Sequence, residues 1–348
     1  MVTIWFCLVA VMIAVYVLLD GFDLGAGIIH LGVARNDAER RSVLAAIGPV
    51  WDGNEVWLLA AGGTLFFAYP VLYASGFSGF YLPLMMVLWL LVLRGISIEF
   101  RSHIDSPIWM PFWDVVFSGS SALLAIFFGA ALGNVVRGVP LDSTGYFFEP
   151  LWTNFRLSNS PGILDWYTIL VGLAAYFALT QHGALWVAYK TTGAVRERAR
   201  HVARGAWLGV VLFTGLITWA TFRVQPHVEA SFIQRPWGFI FPILAVAGLI
   251  SVRWLLRSDE ADEPTFFASC AYLLGMLTSV VFGVYPFVLP ACTNPAYSLT
   301  IYNAKAPDYG LHIGLVWWVI GIFLATGYFT FLYRHVAGKV GGDEESGA

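Results

Sequence analysis

The chain has 348 residues, 58% of them hydrophobic and only 12% charged, with a formal net charge of −3. A slightly acidic chain without a basic patch argues against nucleic acid as a partner. Apolar runs about as long as a bilayer is thick mark a polytopic, all-α integral membrane protein, with no length left for a separate soluble domain, so residues 1–348 are expected to form one membrane domain.

The first run, 4–29, lacks a basic leading segment and carries Asp20 and Asp23 near its end, which is unlike a cleaved signal peptide, so it is expected to be retained as a span. The second, 44–68, contains GPVWDGNEVWL. Pro49 suits a first-turn position, where its missing N–H has no partner to lose. Asp52 and Glu55, three residues apart, share a face of this helix. An ionised carboxylate deep in hydrocarbon costs about 3 kcal/mol or more, so such residues face a protein interior or a wet path. The third run, 76–98, holds Arg94 near its end, with Glu99 and Arg101 just beyond. Six more follow at 113–136, 163–189, 201–222, 236–256, 266–288 and 310–333, and only the connections 137–162 and 289–309 are long.

Nine spans put the termini on opposite sides. Odd-numbered connections and the tail hold thirteen Lys and Arg; even-numbered connections hold five, namely Arg137, Arg156, Arg223, Arg235 and Lys305. That bias places the N-terminus outside and the tail GGDEESGA in the cytoplasm. Asp20, Asp23, Asp52, Glu55, Arg94, Glu99 and Arg101 then gather at the cytoplasmic ends of the first three helices. Gly21 with Gly25, and Gly129 with Gly133, form small-residue steps, and Gly62 and Gly63 thin the second helix, so that helices can approach closely.

Haem held between helices needs histidines at matching depth on different spans. His30, His103, His201 and His335 fall at cytoplasmic ends or loops, His227 in an outer loop and His312 at the outer start of the ninth helix. His182 alone is a candidate buried ligand, against the reading of a hydrogen-bonded core histidine beside Gln181 and Lys190. Cys7, Cys270 and Cys292 form no CxxC or CxxCH element, and no metal-ligand or nucleotide-binding motif is present. The carboxylates remain. Asp20 and Asp23 read either as helix-end groups solvated at the interface or as parts of a proton path, and Asp52 either as a partner of Arg94 or Arg101 or as a relay. From the residues alone the classes left open are a proton path serving a partner, a proton-coupled transporter and a scaffold subunit. A transporter would favour paired broken helices at midplane, which the sequence does not show.

DGFDLGAG at 20–27, RNDAERR at 35–41, GPVWDGNEVWL at 48–58, FFAYP with YASGFSGFY at 66–81, LRGISIEFR at 93–101 and SLTIYNA at 298–304 together resemble subunit II of the cytochrome bd-type quinol oxidases. The resemblance runs from the first helix to the ninth, most densely over the first hundred residues. It implies two four-helix bundles plus one peripheral helix, in a heterodimer in the bacterial plasma membrane. Subunit I would ligate the b- and d-type haems and oxidise quinol or menaquinol, while small accessory membrane subunits, lipid and a bound quinone are further partners to expect. In this chain it implies a cytoplasmic proton path through Asp20, Asp23, Asp52 and Glu55, with Arg94, Glu99 and Arg101 as supporting charges and Trp51 and Trp57 as the motif's aromatics. No catalytic residue and no metal ligand is expected here. Some members carry Gln at the position of Glu55 and Asp at that of Glu99.

Overall fold

A computed structural model describes residues 1–340; the tail GGDEESGA lies outside the described residues. The helices are α1 (Val2–Val33), α2 (Asp37–Ile47), α3 (Trp51–Ala68), α4 (Pro70–Gly79), α5 (Tyr81–Phe100), α6 (Trp109–Arg137), α7 (Trp166–Lys190), α8 (Gly193–Val224), α9 (Pro226–Gln234), α10 (Ile240–Leu255), α11 (Asp262–Val284) and α12 (Asp308–His335). One short antiparallel pair, β1 (Phe287–Leu289) with β2 (Leu299–Thr300), lies in the last long connection.

Two expected spans are broken where proline removes a helical hydrogen bond. Pro49 cannot donate to the carbonyl four residues back, so the run 44–68 divides into α2 and α3 about a turn at 48–50, and Pro49 precedes α3 instead of opening it. Pro83 leaves the carbonyl of Gly79 without a donor in the same way, and the run 76–98 begins inside α4 and resumes at Tyr81. At its far end, α11 stops at Val284, before Pro286, short of the expected 288. Helix α8 starts eight residues before the expected 201, because its charged first turns extend past the apolar part.

Eight helices among the described residues are long and apolar enough to cross a membrane. At 18 residues, α3 is about 27 Å long. It is less apolar because Asp52, Asn54 and Glu55 fall in its first two turns. It nonetheless runs antiparallel along α1, from Asn54 against Asp23 to Tyr69 at the far end, whose hydroxyl donates to the Val2 carbonyl at 2.7 Å. So placed, α3 is the candidate for the ninth expected pass. The first bundle comprises α1, α3, α5 and α6, and the second α7, α8, α10 and α11, packed through α1 and α6 against α7. Helix α12 stands outside both, with only Leu311 buried along its length.

Helix α1 sits at the centre, touching α3, α6, α7 and α11, so most of its residues from Asp20 to Val33 are buried on every side. Close approach there depends on two glycines. A Cβ on Gly25 would land on the Leu179 carbonyl oxygen, and one on Gly183 would land on the Gly25 backbone. The step at Gly129 likewise meets Gly172 and Ala175 of α7, whereas Gly62 and Gly63, expected to aid packing, face open space. At the arginine-poor end, the two long connections form one cap: the amide of Val139 donates to the Pro290 carbonyl, and that of Cys292 donates back to Val139, each at 2.9 Å.

Gly183→Ala should therefore force α1 and α7 apart and destabilise the fold by about 2 kcal/mol or more. Thermal unfolding in detergent reads this as a lowered midpoint, with Gly205→Ala, whose Cβ would meet nothing within 4 Å, as the neutral control. Equal midpoints for the two variants would contradict the packing account.

Candidate functional site

Because α1 is enclosed by other helices, the carboxylates its sequence places at positions 20 and 23 are enclosed with it. Asp20 and Arg94 are both fully buried. The Arg94 guanidinium, reaching in from α5, donates through Nη2 to Asp20 Oδ1 at 2.6 Å and to Glu55 Oε2 of α3 at 3.0 Å. Asp23 Oδ2 accepts from Asn54 Nδ2 at 2.8 Å, and the Tyr333 hydroxyl of α12 donates to Asn54 Oδ1 at 2.8 Å. Two carboxyls thus share one guanidinium, with Asp23 beside them on Asn54, and full ionisation of all three would leave a surplus negative charge around a single cation. Buried polar atoms are nearly always hydrogen-bonded. Here Tyr16 Oη, Asp20 Oδ2, Asp23 Oδ1, Arg94 Nε and Nη1 and Trp57 Nε1 have no partner among the described residues. The arrangement offers groups that can bind and release protons.

A second charged network sits nearer the arginine-rich end. Asp114 of α6, fully buried, takes Arg101 Nε at 2.6 Å and His30 Nε2 at 2.7 Å on one oxygen, and Arg40 Nη1 at 2.7 Å on the other. Arg101 also reaches Asp37 at 2.8 Å. This ties α1, α2, the end of α5 and α6 together.

Residues 1–336 match the family described as cytochrome bd terminal oxidase subunit II. The chain belongs to that family. Among its relatives, a probable cytochrome oxidase subunit 2 of Haemophilus influenzae is 31% identical over 97% of this chain and 94% of its own. The cytochrome bd ubiquinol oxidase subunit 2 of Bacillus subtilis is 31% identical over 89% and 88%, and the cytochrome bd-I ubiquinol oxidase subunit 2 of Escherichia coli K12 is 30% identical over 89% and 87%. A chain of the bd oxidase from Geobacillus thermodenitrificans shares the fold, with a TM-score of 0.75 at 17% identity, covering 97% of this chain and 98% of that one. The protein is thus a multi-pass bacterial membrane subunit of a terminal oxidase.

In this bd subunit II, Asp20, Asp23, Glu55 and Arg94 come together as the sequence suggests. Asp52 does not join them: it is exposed and pairs with neither Arg94 nor Arg101 among the described residues, because it points off the other side of α3's first turn. Glu99 is exposed too, and Arg101 belongs to the Asp114 network. Trp51 lies against Gly95 of α5; Trp57 is buried deeper, beside Met12, Tyr16 and Ala61, with its ring 5.4 Å from Phe329. Sequence reasoning missed Asp114, although an aspartate inside the expected 113–136 span was signal enough. It also missed Tyr16, one turn before Asp20. His30, expected at a cytoplasmic helix end or loop, lies fully buried at that end of α1, because α6 covers that turn. His182 is a core histidine, but its partners are Ser269 Oγ at 2.7 Å and the Leu18 carbonyl at 2.9 Å, not Gln181 or Lys190. With both ring nitrogens engaged and Phe266 stacked at 4.9 Å, His182 does not fit a haem, and neither does His30, whose Nε2 is held by Asp114.

At the arginine-poor end, Arg137 Nη2 donates to Glu149 Oε1 and to Asn134 Oδ1, each at 2.7 Å, and its Nη1 pairs with Asp165. Asp165 also caps α7 by accepting the amides of Tyr167 and Thr168. Burial pushes Glu149 up from 4.5 to about 7; Arg137 pulls it down and Asp165 pushes it further up. Between these two values the folded loop holds a proton that the unfolded chain has released. Stability of the loop therefore falls as pH rises from about 4.5 to about 7, and levels off above. Amide exchange across 138–165, corrected for intrinsic rate, should report progressively weaker protection over that window, and Glu149→Gln should flatten the change. An unchanged pH dependence in the variant would contradict it.

Proposed function

We propose that this chain is the subunit through which a cytochrome bd oxidase takes up protons from the cytoplasm. In this reading it pairs with a subunit I that ligates the b and d haems and oxidises quinol, while oxygen is reduced to water at a cost in protons. The observation that carries the proton role is the surplus of acid: fully enclosed Asp20 and Asp23 with partly buried Glu55 beside them, Arg94 bonded to Asp20 and Glu55, and Asp20 Oδ2 and Asp23 Oδ1 free of partners among the described residues. Intramembrane carboxylates of this kind are costly and mark ion or proton routes. Arg94 holds the charge balance, and Asp52, exposed at the start of α3, serves as the collecting group at the mouth. The excess of Lys and Arg at the end where α1 finishes supports a cytoplasmic placement of that end, and an outer N-terminus. Lipid, a bound quinone and small accessory subunits are further partners consistent with the exposed apolar faces of α5, α8, α10 and α12.

Asp23 gives the cleanest test, since it carries no ion pair among the described residues and Asn can still accept from Asn54. Asp23→Asn should assemble with full haem content yet consume oxygen about ten-fold more slowly or worse, since a positioned proton carrier typically contributes about 100-fold or more to the step it serves. Asp52→Asn should do the same in milder form, with Asp52→Glu retaining part of the turnover. Haem-replete Asp23→Asn enzyme with unaltered oxygen consumption would refute the proton role.

A further inference from the structure

We propose that His30 passes protons from the arginine-rich face to Asp23 along the seam between α1 and α6, an inference that rests on the proton-uptake reading above. Asp20, Asp23, Gly27 and His30 are spaced three, four and three residues apart, which aligns them on one face of α1. The rise of the helix puts His30 about 10 Å beyond Asp23. Asp20 and Asp23 bond α5 and α3, and beyond them Gly27 and His30 meet α6, which runs the opposite way and presents Ser121 and Phe117 to Gly27 and Asp114 to His30. Gly27 is required there, since any Cβ would land on the Ser121 hydroxyl.

Three atoms along the seam are buried and without partners among the described residues: His30 Nδ1, Ser121 Oγ and Asp23 Oδ1. Along the axis of α1 they follow in that order, with Ser121 at the level of Gly27 between His30 and Asp23. The charged groups around His30 are Asp114 of α6, bonded to its Nε2, and the two further cations on that carboxylate, Arg40 of α2 and Arg101 after α5, with Asp37 behind Arg101. Phe117 packs edge-on at 5.4 Å. A plain structural ion pair explains the Nε2 bond but leaves Nδ1 idle. An imidazole with one nitrogen anchored on a carboxylate and the other free is built to shuttle. Nδ1 takes a proton that arrives as hydronium by way of water entering the seam from the rim, leaving neutral water and an imidazolium held by Asp114. The imidazolium passes its Nδ1 proton to the Ser121 oxygen as the Ser121 hydroxyl proton goes to Asp23 Oδ1, so only N–H and O–H bonds form and break. The Arg40 side chain, 24% exposed, marks where this end meets solvent.

The test uses the assembled, haem-quantified oxidase in membranes. His30→Gln keeps a donor for Asp114 but cannot shuttle, and should lower oxygen consumption about ten-fold with haem retained. His30→Ala should be equally slow and should be accelerated by added imidazole, a response that a merely structural histidine would not give. Ser121→Ala leaves the Asp114 network intact and should slow turnover several-fold even if the His30 variants fail to assemble. Full turnover in haem-replete His30→Gln, or in Ser121→Ala, overturns the seam route, as does a slow His30→Ala enzyme indifferent to imidazole. If Asp23→Asn remains slow while these variants run normally, the seam is wrong and the proton-uptake reading stands; if all run normally, both fall.

Discussion

Arg94 has one guanidinium to divide between Asp20 of α1 and Glu55 of α3, and that division fixes where α1, α3 and α5 can sit. Removing one partner from a buried pair of this sort costs about 3–5 kcal/mol, because the charge left behind is uncompensated. Yet well-packed hydrophobic residues of similar volume often hold a bundle as firmly. A cluster with more acid than base is therefore a poor device for stability alone, and its unpartnered oxygens are what the proposed proton role draws on.

The rest of the architecture serves to enclose this cluster. Helix α1 is central because Gly25 and Gly183 let α7 approach backbone to backbone, which covers the side of α1 that α3 and α6 leave open. Tyr333 reaches from the peripheral α12 to Asn54 and through it orients the Asp23 carboxylate, so a helix with almost nothing buried still acts on the site. The Asp114 network seals the arginine-rich end, while Arg137, Glu149 and Asp165 anchor the connections at the other.

Much of this was legible in the sequence for physical reasons. Hydrophobic length marked the spans, the Lys and Arg asymmetry gave an expected orientation, and the positions of Asp20 and Glu55 near one end of their helices put those acids where Arg94 could meet them. Three things were not legible. Pro49 reads equally as the opening of a helix or as a break, and only the tertiary path of α2 selects the break. Asp52 and Glu55 share a face by spacing, but the narrow line between inward and outward on α3 depends on where α1 and α5 lie. The partners of Asp114 come from three separate segments, and no local pattern joins Arg40, Arg101 and His30 across that distance in sequence.

The account's central claim is that the buried carboxyls change protonation as the oxidase works. Infrared difference spectroscopy of the assembled complex, reduced minus oxidised, measures this directly through the carboxyl C=O stretch. The account predicts a redox-linked carboxyl signal that shifts in D2O and loses a component in Asp23→Asn. A carboxyl difference spectrum identical in the parent and Asp23→Asn complexes would contradict it.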